Sequence, residues 1–176
     1  IGESGSGKRV AVKSLLQIVP KPGRIVGGQI DYKGENLLAG KKGISRVRGK
    51  EITMIFQEPM TSLNPVLTIG RQLREGLMLH LKVSKAEADR LSCDYLKRVK
   101  INKPEELLDR YPHHLSGGMR QRVMIAMALA PGASILLADE PTTALDVTIQ
   151  QQIIYLLKEL RDQLGMSIIF ITHDMG

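Results

Sequence analysis

The first residues with recognisable chemistry lie at the start of the sequence, where three glycines are interspersed with polar residues before a lysine. They are Gly2, Glu3, Ser4, Gly5, Ser6, Gly7 and Lys8. Glycines at this spacing let successive backbone N–H groups converge on an anion, and a helix beginning at the lysine directs its positive end at the same point. The lysine can then reach the β- and γ-phosphates of a nucleotide. The spacing therefore predicts a phosphate-binding loop, and the alternative is a flexible turn.

The residue after this loop departs from the expected chemistry. A Ser or Thr hydroxyl here would ligate Mg²⁺, but the sequence has Arg9, which has no side-chain oxygen and a permanent positive charge. If Arg9 points inward, a Mg²⁺–nucleotide complex loses a ligand and gains an unfavourable charge. Arg9 can instead turn outward and contact phosphate directly, or the change can be unselected in a damaged copy. The sequence leaves these three interpretations open.

Polar residues with useful chemistry follow three predicted strands. The apolar runs 52–56, 135–138 and 167–172 are followed by Gln57, by Asp139 and Glu140, and by His173. Runs that are apolar on both faces suit a parallel sheet covered by helices. Ligands bind outside the carboxyl ends of such strands, so we expect these polar residues to share one crevice with the phosphate-binding loop.

Each of these side chains has a chemical use at a nucleotide site. Asp139 can hold Mg²⁺ through water while Glu140 polarises an attacking water, although an acidic pair at a strand end often only caps a helix. Gln57 can bind metal or water, and His173 can donate a hydrogen bond to a γ-phosphate. A second anion site is predicted where Ser116 and two glycines begin a helix.

The remaining pattern predicts the elements that position these residues. We expect helices at residues 8–19, from Ile69 to Leu81, after a capping box formed by Ser84 and Glu87, from Pro104, from Ser116 towards Ala130, and from Asp146 to Gly165. A weaker, alternating strand is expected at residues 25–32, and the basic run 41–50 is expected to be a solvated loop that could contact phosphate or RNA. The helical block 67–111 interrupts the alternation, so the prediction is an α/β core with a helical insertion.

Composition limits the classes of protein. A chain of 176 residues suits one domain, and 25 basic against 18 acidic residues favour polyanionic partners without choosing among them. The single cysteine, Cys93, excludes an internal disulfide framework. The most apolar stretch, 123–138, is too short and too broken to span a bilayer, and we expect no secretory leader before the glycine-rich turn.

In their order, these motifs resemble those of the ABC-type ATPase family. The set comprises the phosphate-binding loop, Gln57, the Ser116-Gly117-Gly118 turn, residues 135–140, residues 144–146 and His173. The resemblance implies one ATP-binding domain over residues 1–176, incomplete at both ends, with a P-loop NTPase parallel-sheet core and a helical subdomain at about 67–130. It also implies ATP and Mg²⁺ as cofactors, and ATPase activity.

The resemblance assigns a role to each matched residue. Lys8 and the loop before it would bind phosphates with Arg9 beside them, Asp139 and Gln57 would hold Mg²⁺, Glu140 would act on the hydrolytic water, and His173 would contact the γ-phosphate. Ser116, Gly117, Gly118 and Gln121 would belong to a turn presented in trans to nucleotide on a second ATP-binding subunit, packed head to tail. Gln57 would also signal to the transporter, and Asp146 would couple the two sites.

A narrower resemblance concerns the bacterial subgroup that energises dipeptide, oligopeptide and nickel importers. It rests on residues 56–65, 111–113 and 144–148. It implies membrane permease subunits as partners, a substrate-binding protein as an indirect partner, and a peripheral location on the cytoplasmic face of the inner membrane. Members carry further strands and a base-stacking aromatic before the loop, and an extension after the His173 region, which the printed sequence lacks.

Two other classes remain open from the sequence. One is a soluble ABC-type ATPase acting on DNA or ribosomes, against which residues 56–65 argue, so no nucleic-acid partner is expected. The other is a truncated copy that carries Arg9 and hydrolyses nothing.

Overall fold

The computed structural model describes residues 6–57, 62–143 and 145–172. The elements used below are α1 (Lys8–Leu15), β1 (Asp31–Tyr32), β2 (Glu35–Asn36), α2 (Lys41–Val47), β3 (Ile52–Ile55), α3 (Ile69–Leu81), α4 (Lys85–Arg98), α5 (Pro104–Leu108), a 3₁₀ turn (Pro112–His114), α6 (Gly117–Leu129), β4 (Ile135–Asp139), α7 (Val147–Leu164) and β5 (Ser167–Ile171).

A parallel sheet in the order β3-β4-β5 organises the chain. β4 lies in the middle and pairs in parallel with both neighbours, so the carboxyl ends of all three strands lie at one edge. Leu136, Leu137 and Ala138 of β4 are fully buried, as expected for a central strand covered on both faces. The α/β class and the three strands that carry the site are therefore as predicted.

The two faces of the sheet belong to different layers because successive residues of a strand point to opposite sides. Leu136 packs into a cluster with Ile55 and side chains of α3, α4, α6 and α7. Leu137 packs on the other side with Val12 of α1 and the buried residues of α2. The sheet is thus covered by α1 and α2 on one face and by the larger helical layer on the other.

Side-chain caps fix where the long helices begin. The capping oxygens belong to Thr68, Ser84, Ser116 and Asp146, which accept from the backbone N–H groups of Arg71, Glu87, Met119 and Ile149. Gly165 ends α7 in a left-handed conformation, as predicted. Of the helices within the described residues, none combines the length and apolar character needed to cross a membrane.

The predicted helical block folds as α3, α4 and α5. Several of its buried side chains, among them Leu73 and Leu96, belong to the same hydrophobic cluster as Ile55 of β3 and Leu136 of β4, whereas Leu77 and Ala88 form a smaller cluster with Ala130. The block therefore shares a core with the sheet. The division of the domain at about residues 67–130 stays a prediction.

Two glycines of α3 are expected to respond in opposite ways to Ala. A Cβ at Gly70 would lie 2.8 Å from the carbonyl oxygen of Leu108 and 2.9 Å from its Cβ, whereas a Cβ at Gly76 meets nothing within 4 Å. Gly70→Ala should lower the free energy of unfolding by about 1–3 kcal/mol through overpacking. Gly76→Ala, the matched control, should raise it by about 0.5–1 kcal/mol because Ala favours a helix over Gly. Urea denaturation followed by circular dichroism measures both, and equal effects would contradict this packing.

Two element boundaries differ from the prediction. The first helix ends at Leu15, not at residue 19, because Gln17 adopts a left-handed backbone (φ 51°) and its amide donates to the carbonyl of Leu37. The strand predicted over 25–32 is wrong: only Asp31–Tyr32 is extended, in a short hairpin with Glu35–Asn36. Tertiary hydrogen bonds and the turn between these short strands overrode the local patterns.

The prediction of a solvated loop for the basic run 41–50 is also wrong. Residues Lys41–Val47 form the helix α2. Ile44 and Val47 lie three residues apart on one face, and both are buried against the sheet with Leu137. Two apolar anchors among glycines and charges give too weak a periodicity to be recognised locally.

Candidate functional site

The site begins at the first turn of α1. Gly7 is the N-cap residue in a left-handed conformation (φ 81°), and Lys8 and Arg9 open the helix. Ser6 and Gly7 are exposed, so the positive end of the helix is accessible to an anion. Of the residues assigned to the phosphate-binding loop, Gly2, Glu3, Ser4 and Gly5 lie outside the described residues.

Arg9 points inward and bridges two carboxylates. Its Nε donates to Oδ1 of Asp139 at 3.0 Å, and its Nη2 donates to Oε1 of Glu140 at 2.5 Å. The side chain of Asp139 is 3% exposed and that of Glu140 12%, whereas that of Arg9 is 42% exposed. This orientation agrees with the first of the three interpretations that the sequence left open, in which Arg9 points inward. Asp139 and Glu140 are called the carboxylate pair below.

The second oxygen of Glu140 is also engaged. Its Oε2 accepts hydrogen bonds from Nε2 of Gln57 at 2.9 Å and from the hydroxyl of Thr143 at 3.0 Å. Its backbone N–H donates to the carbonyl of Ile171 in β5, and its φ of 47° is in the left-handed region, which non-glycine residues rarely adopt. The ends of β3, β4 and β5 therefore meet at Glu140, as the strand pattern predicts for Gln57 and the carboxylate pair.

The charges of the site reinforce this arrangement. Burial acts to lower the pKa of Arg9, but the negative charges of Asp139 and Glu140 and their hydrogen bonds outweigh it, so the pKa is raised above its ordinary value. Arg9 is therefore a permanent cation. One guanidinium thus faces two carboxyl groups in this cluster.

The residues as arranged do not fit a magnesium ion. Mg²⁺ requires oxygen ligands at about 2.0–2.1 Å in octahedral geometry. Here the residue at position 9 offers only N–H donors, and these already occupy an oxygen of Asp139 and one of Glu140. A unit positive charge ~4 Å from a cation costs about 4 kcal/mol per unit charge of that cation in an effective dielectric of about 20. Within residues 6–57, 62–143 and 145–172, no cluster of three or more His, Cys, Asp or Glu could hold a metal ion.

The Ser116-Gly117-Gly118 turn begins α6 at the surface. Ser116 and Gly117 are exposed, and the Ser116 hydroxyl accepts from the N–H of Met119. A Cβ at Gly118 would lie 3.0 Å from Cγ2 of Ile149, so the missing side chain allows the turn to approach the first turn of α7. Asp146, expected to couple two sites, caps that same helix through the N–H of Ile149.

Gln121 differs from the other residues assigned to nucleotide. Its side chain is buried, and in the part of the chain that the structure describes its amide nitrogen has no hydrogen-bond partner. This buried position does not support a direct contact with nucleotide. It follows from helical geometry, because Met124 and Ile125, three and four residues further on, are buried on the same face of α6.

Three predicted features cannot be placed. His173 and residues 58–61 lie outside the described residues, as does Ala144. Sequence reasoning also missed one participant, Thr143, which bonds to Glu140. Its position three residues after Glu140, in a turn whose backbone links the same two residues, was the available signal.

An apolar cavity of about 340 Å³ borders the end of β3, before Gln57. It is lined by residues of β3, α3 and α6 and by two residues of the following segment, Ser62 and Leu63. Phe56 and His80 also line it, and burial together with the charge of Lys50 lowers the pKa of His80. Gly49 borders this ring, since a Cβ there would lie 2.7 Å from it.

The fold and this site define a nucleotide-binding protein of the P-loop NTPase class: a parallel sheet whose strand ends carry Gln57 and the carboxylate pair, beside a helix opened by Lys8. The chain belongs to the ABC transporter family, because the model of that family matches residues 1–143.

Relatives and solved structures agree with this assignment. The chain is 53% identical over 178 residues to a probable peptide ABC transporter ATP-binding protein of Sinorhizobium fredii, covering 100% of this chain and 53% of the relative. It is 51% identical to the oligopeptide transport ATP-binding protein OppD of Bacillus subtilis, covering 100% of this chain and 50% of that protein. The chain thus spans about half the length of the curated relatives it matches.

Two solved structures show the same fold. CbiO1 of Clostridium perfringens, part of the ABC transporter complex CbiONQ, matches with a TM-score of 0.81 and 31% identity, over 99% of this chain and 65% of that one. A dimeric ATP-binding cassette in a post-hydrolysis state, bound to ADP and Pi, matches with a TM-score of 0.75 and 28% identity, over 93% and 70%. The predicted fold and family are confirmed, and the family binds ATP.

Proposed function

We propose that this chain is the ATP-binding and ATP-hydrolysing part of an ABC importer for dipeptides or oligopeptides, with nickel as the alternative cargo of the same subgroup. One observation carries the proposal. Gln57 and the carboxylate pair meet at the carboxyl edge of the sheet, and Arg9 links them to the first turn of α1. The peptide-transport names of the relatives support the cargo.

The geometry supports a division of labour at this site. Lys8 and the positive end of α1 bind the phosphates, since both direct positive charge at an anion there. Glu140 orients the attacking water through its carboxylate, and Gln57 and Thr143 hold that carboxylate in place. In the described conformation Arg9 donates to Oε1 of Glu140, so a water that binds this oxygen shares it with a positive charge. His173 contacts the γ-phosphate in the same proposal.

A second ATP-binding subunit completes the site. The exposed Ser116 and Gly117 and the neighbouring Gly118 form a surface turn at a helix N-terminus, which can meet phosphate held by another copy. A matched cassette solved as a dimer supports pairing with a second subunit, for which we propose the head-to-tail arrangement. Asp146 tethers the start of α7 against this turn and would transmit movement between the two sites.

We propose that the membrane permease binds the surface formed by α3 and the neighbouring apolar cavity. The apolar cavity is lined by Gly76 and His80 of α3 and by Phe56, so a permease segment seated there would contact the helical block and the residue next to Gln57, which donates to Glu140. Val66, Met78 and Leu79 are exposed apolar side chains in the same block. The chain would then lie peripherally on the cytoplasmic face of a bacterial inner membrane, and a substrate-binding protein would act only indirectly.

One observation favours a second candidate function. The Arg9 bridge engages both carboxylates, which supports a subunit that binds nucleotide and hydrolyses it slowly or not at all. A nucleic-acid partner has no comparable support.

The experiment that tests nucleotide binding compares two lysines of the same helix. Lys8→Ala in the full chain is expected to weaken binding of a fluorescent ATP analogue by about 10–100-fold, because charge-assisted bonds to phosphate are lost. Lys13→Ala removes the same charge from the last turn of α1 and should leave Kd unchanged within about twofold. Circular dichroism verifies folding beforehand. Equal losses in both variants, or no binding by the folded parent chain, would refute the proposed function.

A further inference from the structure

We propose that Arg9 is a built-in cation that replaces the divalent metal at this nucleotide site, so that the chain binds nucleoside polyphosphates without Mg²⁺. The inference rests on the proposed nucleotide-binding function and deepens it by naming the form of the ligand. That form is the metal-free polyphosphate anion.

The positive charge of Arg9 already neutralises the carboxylate pair in part. Asp139 is almost completely buried, and an isolated buried carboxylate is strongly unfavourable. Arg9 meets both carboxylates with separate nitrogens, Nε on Asp139 and Nη2 on Glu140. A positive charge that a metal would supply from solution is therefore held covalently in the chain.

The guanidinium of Arg9 can also bind phosphate. Arginine has five N–H donors in a planar fork, and such forks suit phosphate as well as carboxylate. The Arg9 side chain is 42% exposed while its two partners are nearly buried, so it is reachable from the side of solvent. Arg9 follows Lys8 in the first turn of α1, where the helix N-terminus favours anions.

Arg9 also disfavours a divalent cation at the carboxylate pair. An entering divalent cation would compete with Arg9 for Oδ1 of Asp139 and Oε1 of Glu140, and it would sit beside a fixed positive charge without a hydroxyl ligand at position 9. The guanidinium and the metal compete for the same oxygens, and only the guanidinium is tethered.

The test measures Kd for ATP by calorimetry on the full chain, once with excess EDTA and once with excess Mg²⁺. The parent chain should give Kd values within about twofold of each other, whereas Arg9→Ser should bind ATP at least about tenfold more tightly with Mg²⁺ than with EDTA. Lys13→Ser, which removes a basic residue from the other end of α1, should behave like the parent chain. Binding by the parent chain that is tenfold weaker in EDTA would overturn the inference.

A second measurement removes the dependence on one variant. Arg9→Ser leaves a buried carboxylate pair without its cation and can fail to fold, so Arg9→Lys keeps the charge and should still bind ATP in EDTA. Titration of the parent chain with Mn²⁺, followed by electron paramagnetic resonance in the absence of nucleotide, should detect no tight site. A tight Mn²⁺ site overturns the inference while leaving the proposed function intact, whereas absence of ATP binding under every condition overturns both.

Discussion

Replacing Glu140 by Gln in a protein that also carries Arg9→Ser is expected to lower the rate of ATP hydrolysis by about 10²–10⁴-fold, the range typical of general base catalysis. The reason is the geometry of Glu140: Arg9 holds Oε1, while Gln57 and Thr143 hold Oε2 in place. Removing Arg9 takes one donor and its positive charge away from Oε1, and removing the charge of Glu140 then abolishes its ability to accept a proton. Steady-state phosphate release, measured with saturating ATP and Mg²⁺, gives the rates.

Comparison of backgrounds makes this prediction specific to the Arg9 bridge. Arg9→Ser alone should hydrolyse ATP faster than the parent chain, and Glu140→Gln should have a much smaller effect in the parent chain, where Glu140 is restrained. Glu159→Gln is the matched control, since Glu159 lies exposed on α7 and pairs only with Lys100 among the ion pairs described. An equal effect of Glu140→Gln in both backgrounds would show that Arg9 does not restrain the base.

The largest effect on stability is expected from Leu136→Ala. Leu136 is 0% exposed in the central strand, in register with Thr53 on one side and Ile168 on the other. Truncation leaves a cavity that close-packed neighbours cannot fill, and it should lower the free energy of unfolding by about 2–5 kcal/mol. That is a large part of the 5–15 kcal/mol typical of a domain.

The matched control for this loss lies on the neighbouring strand. Ile169 of β5 is 42% exposed, so Ile169→Ala should cost less than about 1 kcal/mol, because little apolar surface is transferred to water. Urea unfolding monitored by circular dichroism gives both free energies. Losses of similar size would contradict the placement of Leu136 in the core shared by the sheet and the helical layer.

Much of the framework of this site was predictable because its signals are local. Ser116 and Asp146 cap the helices assigned to them since a short polar side chain can bond only to nearby N–H groups. The gathering of Gln57 with the carboxylate pair follows from one rule about parallel sheets, which needs only the strands and not their neighbours.

The features that local patterns did not reveal share a different cause. The residues of α2 have the sequence of a charged loop, and only the packing of Ile44 and Val47 against the sheet, with Leu137, identifies them as a helix. Gln121 belongs to a recognisable motif, yet the face of α6 on which it falls is decided by what packs against that helix. In each case distant partners overrode or completed a weak local pattern.

The sequence by itself determined the strands and long helices that carry the site, their order, and the family to which the chain belongs, because these depend on periodicity, caps and motif spacing along the chain. It left the direction of Arg9 open. Only the tertiary structure decided that direction, by bringing Arg9 to two carboxylates that are 130 and 131 residues away in the chain. A long side chain has many rotamers of similar energy in isolation, and two nearly buried opposite charges select one of them.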